Sequence, residues 1–404
     1  MSLLDELRKQ SVPKELAFPD SEYQARIGKV RDSMNAAGLD ALLLTTIPNI
    51  CYLTGYQTAV SGAYAAAIVP LSGEVTLHLP DMEVPNAVLT SCVEDIAVIP
   101  WNEVDKAAHL AKTLKERGFD NKKIGIESGK STTFAIGALD VRTYLRLQEL
   151  LPDAQFKDHT YLVLDVRLIK SPAEISYMRR AGEMSYIGLQ AAIAEIAPGK
   201  TDNDLAAAAY AALVSAGSEL MCIDPMILTG YRSGWGPHSM YKRTPIKVGD
   251  PIYMECSGCF QRYNAPMMRC ASLGRPSDDV RRLADYCAKT LELLLVNIRA
   301  GRTAHDVAVA VKNGLGKHEG EIYFHSSFSY SVGLGFQPQW SDAPMYISEG
   351  NHQLLKAGMT LHLPNIHVVP GRFGVGLSET VAVTNSGCDL LTPGKDRQLV
   401  TCLP

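Results

Sequence analysis

Apolar and polar positions change their pattern along the chain near residue 165. Before that point, short apolar runs alternate with amphipathic segments. Ala41–Thr46 is an apolar run of strand length. Ala65–Pro70 and Glu74–Leu79 flank Ser72-Gly73, and β-compatible runs around a glycine-containing turn predict a hairpin. Ala107–Arg117 has helical periodicity, and Lys123–Glu127 reads as a further strand. Alternating helices and strands predict an α/β domain over residues 1–164.

The remainder, residues 165–404, opens on a helix signal. Ser171-Pro172-Ala173-Glu174 supplies an N-cap serine, a proline at the first helical position and a glutamate that can close a capping box. Ile175, Met178, Gly182, Tyr186, Leu189 and Ile193 then form one apolar or small stripe, and the helix stops at Pro198-Gly199. Gly199-Lys200-Thr201 with Asp204-Leu205-Ala206 returns at a constant offset as Gly301-Arg302-Thr303 with Asp306-Val307-Ala308. In each copy a glycine ends one helix and Thr-x-x-Asp caps the next. The echo predicts two related halves, pseudo-two-fold symmetry and a site between the halves.

The whole chain has 404 residues, with 39 Lys and Arg against 43 Asp and Glu, for a formal net charge of −4. Binding to nucleic acid usually needs a basic face, so no nucleic-acid partner is expected. No run approaches the ~18 apolar residues of a membrane span, and Leu291–Val296 is the longest candidate. Met1–Ser11 carries charges and lacks an apolar core, so no secretory signal and no membrane partner are expected. Nine scattered cysteines fit reduced thiols in a cytoplasmic protein. Phosphate-binding loops, H-E-x-x-H and G-x-S-x-G are missing from the sequence. Cys256-Ser257-Gly258-Cys259 is a single C-x-x-C in a strand-like run and reads as two ordinary thiols.

From Arg167 onward the chain resembles the pita-bread family of creatinase, prolidase, aminopeptidase P and methionine aminopeptidase. Arg167-Leu168-Ile169-Lys170-Ser171 with Glu174-Ile175 resembles the segment that opens the family's catalytic domain. Pro237-His238, ahead of Gly249-Asp250, resembles its catalytic-histidine segment. Tyr263-Asn264-Ala265 with Arg269 and Gly274, then Val332-Gly333-Leu334, Gly358-Met359 and Glu379-Thr380-Val381, complete the match. Tyr52-Leu53-Thr54-Gly55-Tyr56 extends it more loosely into the first domain. The resemblance implies an α+β pita-bread C-terminal domain with an internal pseudo-two-fold repeat behind an α/β N-terminal domain. It also implies a homodimer in which the first domain of one subunit closes over the partner's site.

Metallopeptidases of this family hold two metal ions with two Asp, one His and two Glu. Those positions correspond here to Glu255, Pro266, Tyr330, Pro364 and Ser378, with Glu379 beside the last. Hard or borderline cations need several carboxylate or imidazole donors, so no catalytic metal and no other cofactor is expected. Creatinase is a metal-free member, but it grips a guanidinium with carboxylates, and the matching places are Met268 and Pro364. The metal-free branch that contains ectoine hydrolase is similar at more of the uncommon positions. They are Glu255, Tyr263-x-x-Pro266, Tyr330 with Gly333-Leu334, Pro338-x-Trp340, Met359-Thr360-x-His362, Glu379 and Arg397-Gln398-Leu399. The chain departs from that branch at Gln57–Gly62, where the branch has an aromatic-rich loop.

The resemblance therefore implies a hydrolase acting on a non-peptide C–N bond of a small cyclic amidine or amide. Glu255, in the apolar context Pro251-Ile252-Tyr253-Met254, is the candidate nucleophile or water-activating base; its structural alternative is a buried pair with Arg269 or Lys242. His238 is the candidate acid–base. Tyr330 is a candidate hydrogen-bond donor to an intermediate oxygen, and His362 with Glu379 a candidate orienting pair. Arg269 is a candidate clamp for a substrate carboxylate or a structural arginine, and Trp340 a candidate pocket wall or rim aromatic. His78, His109, His159, His305, His318, His325 and His367 have no paired spacing and read as structural or surface residues. Competing readings are a creatinase-like amidinohydrolase, a metal-dependent Xaa-Pro peptidase and an inactive pita-bread binding module.

Overall fold

A computed structural model describes residues 3–10, 13–129, 138–316, 322–323, 327–394 and 396–404. The chain divides into two compact units, Met1–Arg167 and Leu168–Pro404.

The first unit is built on one mixed sheet. Its strands are β1 (Ala41–Leu44), β2 (Ala66–Pro70), β3 (Thr76–Pro80), β4 (Asp95–Ile99), β5 (Lys123–Ile126) and β6 (Gln155–Asp158), in the order β4-β3-β2-β1-β5-β6. The hairpin expected around Ser72-Gly73 forms between β2 and β3, with Ile68 opposite Thr76. Helix Lys106–Glu116 begins at an N-cap, Asp105, which accepts from the Ala108 amide at 3.0 Å. Its Leu110, Ala111 and Leu114 pack on Leu43, Ile68 and Ile124 of the sheet. The buried Glu127 carboxylate follows β5 and accepts from the amides of Thr45 and Thr46 at 2.6 and 2.8 Å. It thereby takes up donors at the start of helix Ile47–Thr54, which no side chain of its own N-cap satisfies.

The second unit is α+β and carries the internal repeat. Helices Pro172–Ala194 and Asp202–Ser215 form its first pair, and helices Asp278–Asn297 and Ala304–Leu315 its second. The Ser171–Glu174 capping box forms in both directions, at 2.8 and 3.3 Å. The two echoed segments adopt the same local structure. Gly199 and Gly301 both have φ near +85° (84° and 85°), the left-handed region that a glycine enters without steric cost. Thr201 then bridges Pro245, as Thr303 bridges Leu354.

Strands of this unit are β7 (Met226–Thr229), β8 (Pro251–Cys256), β9 (Cys259–Phe260), β10 (Tyr263–Asn264), β11 (Met267–Leu273), β12 (Tyr330–Phe336), β13 (Gln339–Ser341), β14 (Thr360–His362), β15 (Asn365–Val369), β16 (Phe373–Leu377), β17 (Thr380–Val383), β18 (Cys388–Leu390) and β19 (Val400–Cys402). One sheet runs β19-β11-β8-β7 and a second β18-β17-β14-β12-β10-β9, with β13 paired to β12. An antiparallel bridge between Met268 and Ser378 joins β11 to the residue just after β16.

Gly182, on the small-residue stripe of helix Pro172–Ala194, permits a close approach of backbone. A Cβ there would lie 2.1 Å from the carbonyl oxygen of Leu391. Gly182→Ala is expected to cost about 1–3 kcal/mol through overpacking. Thermal denaturation checks this, and an unchanged melting temperature would contradict the packing.

Candidate functional site

The expected site residues fall in the second unit, and β8 holds the central one. Glu255 is opposite Met226 on β7 and Met268 on β11. Flanked by two methionines, it is only 3% exposed. Tyr253 is two residues earlier on the same strand, so it shares Glu255's face. Its hydroxyl donates to Glu255 Oε2. The Tyr253 ring is held in a cluster with Leu228, Met268, Ile366 and Val368. Glu255 forms no ion pair among the described residues, and Oε1 has no hydrogen-bond partner there. Burial pushes its carboxyl up to about 8, partly offset by the Tyr253 hydrogen bond. The pairing with Arg269 or Lys242 considered from sequence does not form: Arg269 is committed elsewhere and Lys242 is exposed.

Tyr330 begins β12 and is opposite His362 of β14. Its Oη accepts from Trp340 Nε1 at 2.8 Å and is 2.8 Å from His362 Nδ1. Burial, and secondarily the charge of Glu255, hold the Tyr330 phenol well above its ordinary range. Trp340 is 3% exposed on β13, so it is an interior residue that orients Tyr330 and not a rim aromatic.

His362 and Glu379 do not form the expected orienting pair. His362 Nε2 is 2.7 Å from Ser378 Oγ. Successive residues of extended backbone point to opposite sides, so Glu379 is directed away from the imidazole that Ser378 meets. It accepts from Arg269 at 2.7 Å, from Arg397 at 3.2 Å and from Thr392. Arg269 also donates to the carbonyls of Met268 and Ser378, at 2.8 and 3.0 Å, and is fully buried. Its Nε is buried without a hydrogen-bond partner among the described residues, and the bonds of the two terminal nitrogens favour the structural role for Arg269.

His238 is placed differently from the rest. It follows the turn Gly230–Trp235, which is fixed to the β15–β16 hairpin by a hydrogen bond from Gly374 N to Ser233 Oγ at 2.8 Å. The histidine itself is exposed and makes no hydrogen bond to Glu255.

Two residues of this network were missed from sequence. Tyr253 was detectable by strand alternation from Glu255. Ser378 carried no signal beyond standing where a metal-binding glutamate would be. Of the remaining histidines, His78 is buried against Tyr64, His367 is buried beside Cys287, His109 meets Glu103 and His305 accepts from Gly350. His159 is half-buried, and His318 and His325 lie outside the described residues. No cysteine forms a disulfide among the described residues.

Comparison with known proteins places the molecule. The Metallopeptidase family M24 profile matches residues 176–385, and the Creatinase/Prolidase N-terminal domain matches residues 26–169. The chain belongs to metallopeptidase family M24. It is similar to an uncharacterized hydrolase/peptidase of Sinorhizobium fredii, 30% identical over 95% of this chain and 98% of the relative. It is similar also to the ectoine hydrolase of Halomonas elongata, 29% identical over 93% of this chain and 96% of that enzyme. A prolidase from Thermococcus sibiricus shares the fold, with a TM-score of 0.80 and 21% identity over 94% of this chain and 99% of the other. The protein is accordingly a hydrolase of the M24 family with the pita-bread architecture. No described helix is long and apolar enough to cross a membrane.

The M24 family name implies metal, and the residues present do not fit a pair of cations. Pro266 and Pro364 offer no side-chain donor, while the hydroxyls of Tyr330 and Ser378 are engaged with His362. Among the described residues, no three His, Cys, Asp or Glu side chains stand together as a ligand group.

The Glu255 environment has a measurable consequence. A carboxyl whose folded pKa is raised binds its proton more tightly when folded, so its contribution to stability is lost as pH rises through the window from the ordinary glutamate value to about 8. Glu255→Gln removes this dependence. Across that window wild type is expected to lose stability relative to Glu255→Gln by at most ~1.4 kcal/mol per pH unit. Urea denaturation at several pH values reads the difference, and a constant gap would mean that Glu255 is ionised throughout.

Proposed function

We propose that this M24 protein is a metal-independent hydrolase that opens a C–N bond of a small cyclic amidine or amide, of the ectoine type, using Glu255 and His238. The observation that carries the reading is the buried Glu255 carboxyl with no cation against it among the described residues. An unpaired buried carboxylate is costly, so in the free protein it holds a proton at neutral pH. A protonated amidine brings the missing positive charge. Its docking against Oε1 favours the carboxylate and places the electrophilic ring carbon beside an oxygen nucleophile.

Two routes use this arrangement. In one, a Glu255 oxygen bonds to the amidine carbon, a ring C–N bond breaks and the departing nitrogen takes a proton, leaving an imidoyl–Glu255 anhydride; water then cleaves that anhydride to the amide and the free Glu255 carboxyl. In the other, Glu255 removes a proton from a water that attacks the same carbon. Both consume one water and yield an open-chain amide and an amine. His238, on its anchored turn, supplies the proton to the leaving nitrogen. Tyr330 donates to the intermediate, with Trp340 and His362 fixing its direction. Similarity to the Halomonas enzyme supports this substrate class. The family resemblance supports a small-molecule substrate and a homodimer as the working form.

The test is to incubate chelator-treated protein with ectoine, hydroxyectoine, creatine and a Xaa-Pro dipeptide and follow products by NMR. Ring opening that survives chelation is expected. Turnover of the dipeptide alone, restored by divalent metal, would overturn the proposal. Glu255→Gln and His238→Ala are each expected to lower kcat by at least about 100-fold while circular dichroism stays unchanged. Wild-type turnover in Glu255→Gln would remove that residue from the chemistry. Label entering Glu255 during a single turnover in ¹⁸O-water would mark the covalent route, because only water attack at the Glu255 carbonyl of that anhydride places it there.

A further inference from the structure

We propose that Ser378 is a positioning residue: its hydroxyl fixes the tautomer of His362 so that the phenolic proton of Tyr330 is kept for the site. The inference deepens the proposed hydrolase reading, in which Tyr330 donates to the reacting molecule. It follows from counting protons along a buried chain of hydrogen bonds.

Ser378 Oγ has two hydrogen-bond partners among the described residues. The Met268 amide donates to it at 2.7 Å, and His362 Nε2 is 2.7 Å away. An amide N–H can only donate, so the single proton on Ser378 has one acceptor available, Nε2. Ser378 and His362 are both fully buried, so a hydroxyl proton aimed elsewhere would go unsatisfied. With Nε2 accepting, the neutral imidazole carries its proton on Nδ1. That proton points at Tyr330 Oη, 2.8 Å away.

Tyr330 Oη then receives two donors, His362 Nδ1–H and Trp340 Nε1–H. Both of its acceptor positions are filled, and the phenol must direct its own proton to a third group. Tyr330 is only half-buried, whereas Ser378 is fully enclosed, so the phenolic proton can be directed to a substrate oxygen. The opposite tautomer reverses each step. With Nε2 protonated, Tyr330 donates to Nδ1, the serine proton is orphaned and the site loses its donor. Ser378 therefore performs, through one hydroxyl, the orienting task that sequence reasoning gave to Glu379.

The test is NMR of the ring nitrogens in protein labelled with ¹⁵N-histidine, with His362 assigned by the signal missing in His362→Asn. Wild type is expected to show a protonated Nδ1 and an unprotonated Nε2. Ser378→Ala is expected to shift the proton to Nε2, and Ser378→Thr to restore the wild-type pattern. A protonated Nε2 in wild type, or no change in Ser378→Ala, would overturn the assignment. The wild-type spectrum suffices if the alanine variant fails to fold. This readout needs no substrate, so it stands or falls apart from the ring-opening reaction. Where ectoine is turned over, Ser378→Ala is expected to lower kcat about 10- to 100-fold with KM nearly constant. An equal loss in Ser378→Thr would point to packing and against the hydroxyl.

Discussion

Glu255 sits in the middle of a sheet, between two methionines, with a tyrosine hydroxyl as its one donor. Removing a carboxylate from water without a counter-charge costs several kcal/mol, and a fold normally avoids this by supplying a cation. Here the cation is close in sequence but is used elsewhere. Arg269 is on the neighbouring strand, opposite Met254, and its two terminal nitrogens are taken by Glu379 and two carbonyls. The second unit thus contains a neutralised buried pair and, separately, an acid left without one. That separation sets the electrostatic character of the site.

The positions that the family resemblance assigns to metal ligands have become a hydrogen-bonded framework. Tyr330 and Ser378 clasp opposite nitrogens of His362, and Trp340 completes the coordination of the phenol. Directional hydrogen bonds in a dry interior can hold side chains as firmly as a cation does, provided every donor finds an acceptor. Pro266 and Pro364 contribute backbone shape at positions where cousin enzymes need charge. In this network rigidity comes from matching donors with acceptors.

Much of the scaffold was legible because it follows from local rules. Ser171 and Glu174 cap a helix by the geometry of three residues, and Gly199 and Gly301 mark repeated helix stops because both take left-handed backbone. Glu255 stood out as an acid in an apolar strand. Long-range pairing was less legible. Arg269 and Glu379 are 110 residues apart, and nothing near either one announces the other. The His362–Glu379 pairing failed for a simpler reason: sequence comparison located the right segment, but strand alternation gives Ser378 to the imidazole and turns Glu379 away. Ser378 was marked only by the metal-ligand position it occupies, since a lone serine is compatible with almost any environment and discloses no role of its own.

Side by side, Ser378 and Glu379 serve two separate networks, one around the imidazole and one around the buried guanidinium. Their assignment depends on parity along the chain. Inserting or deleting a single residue between the β15–β16 hairpin and β17 would present the acid to His362 and the hydroxyl to Arg269, disabling both networks at once. Length in this short connection is therefore under tighter restraint than side-chain identity at most places in the fold, and tolerated indels should concentrate outside it.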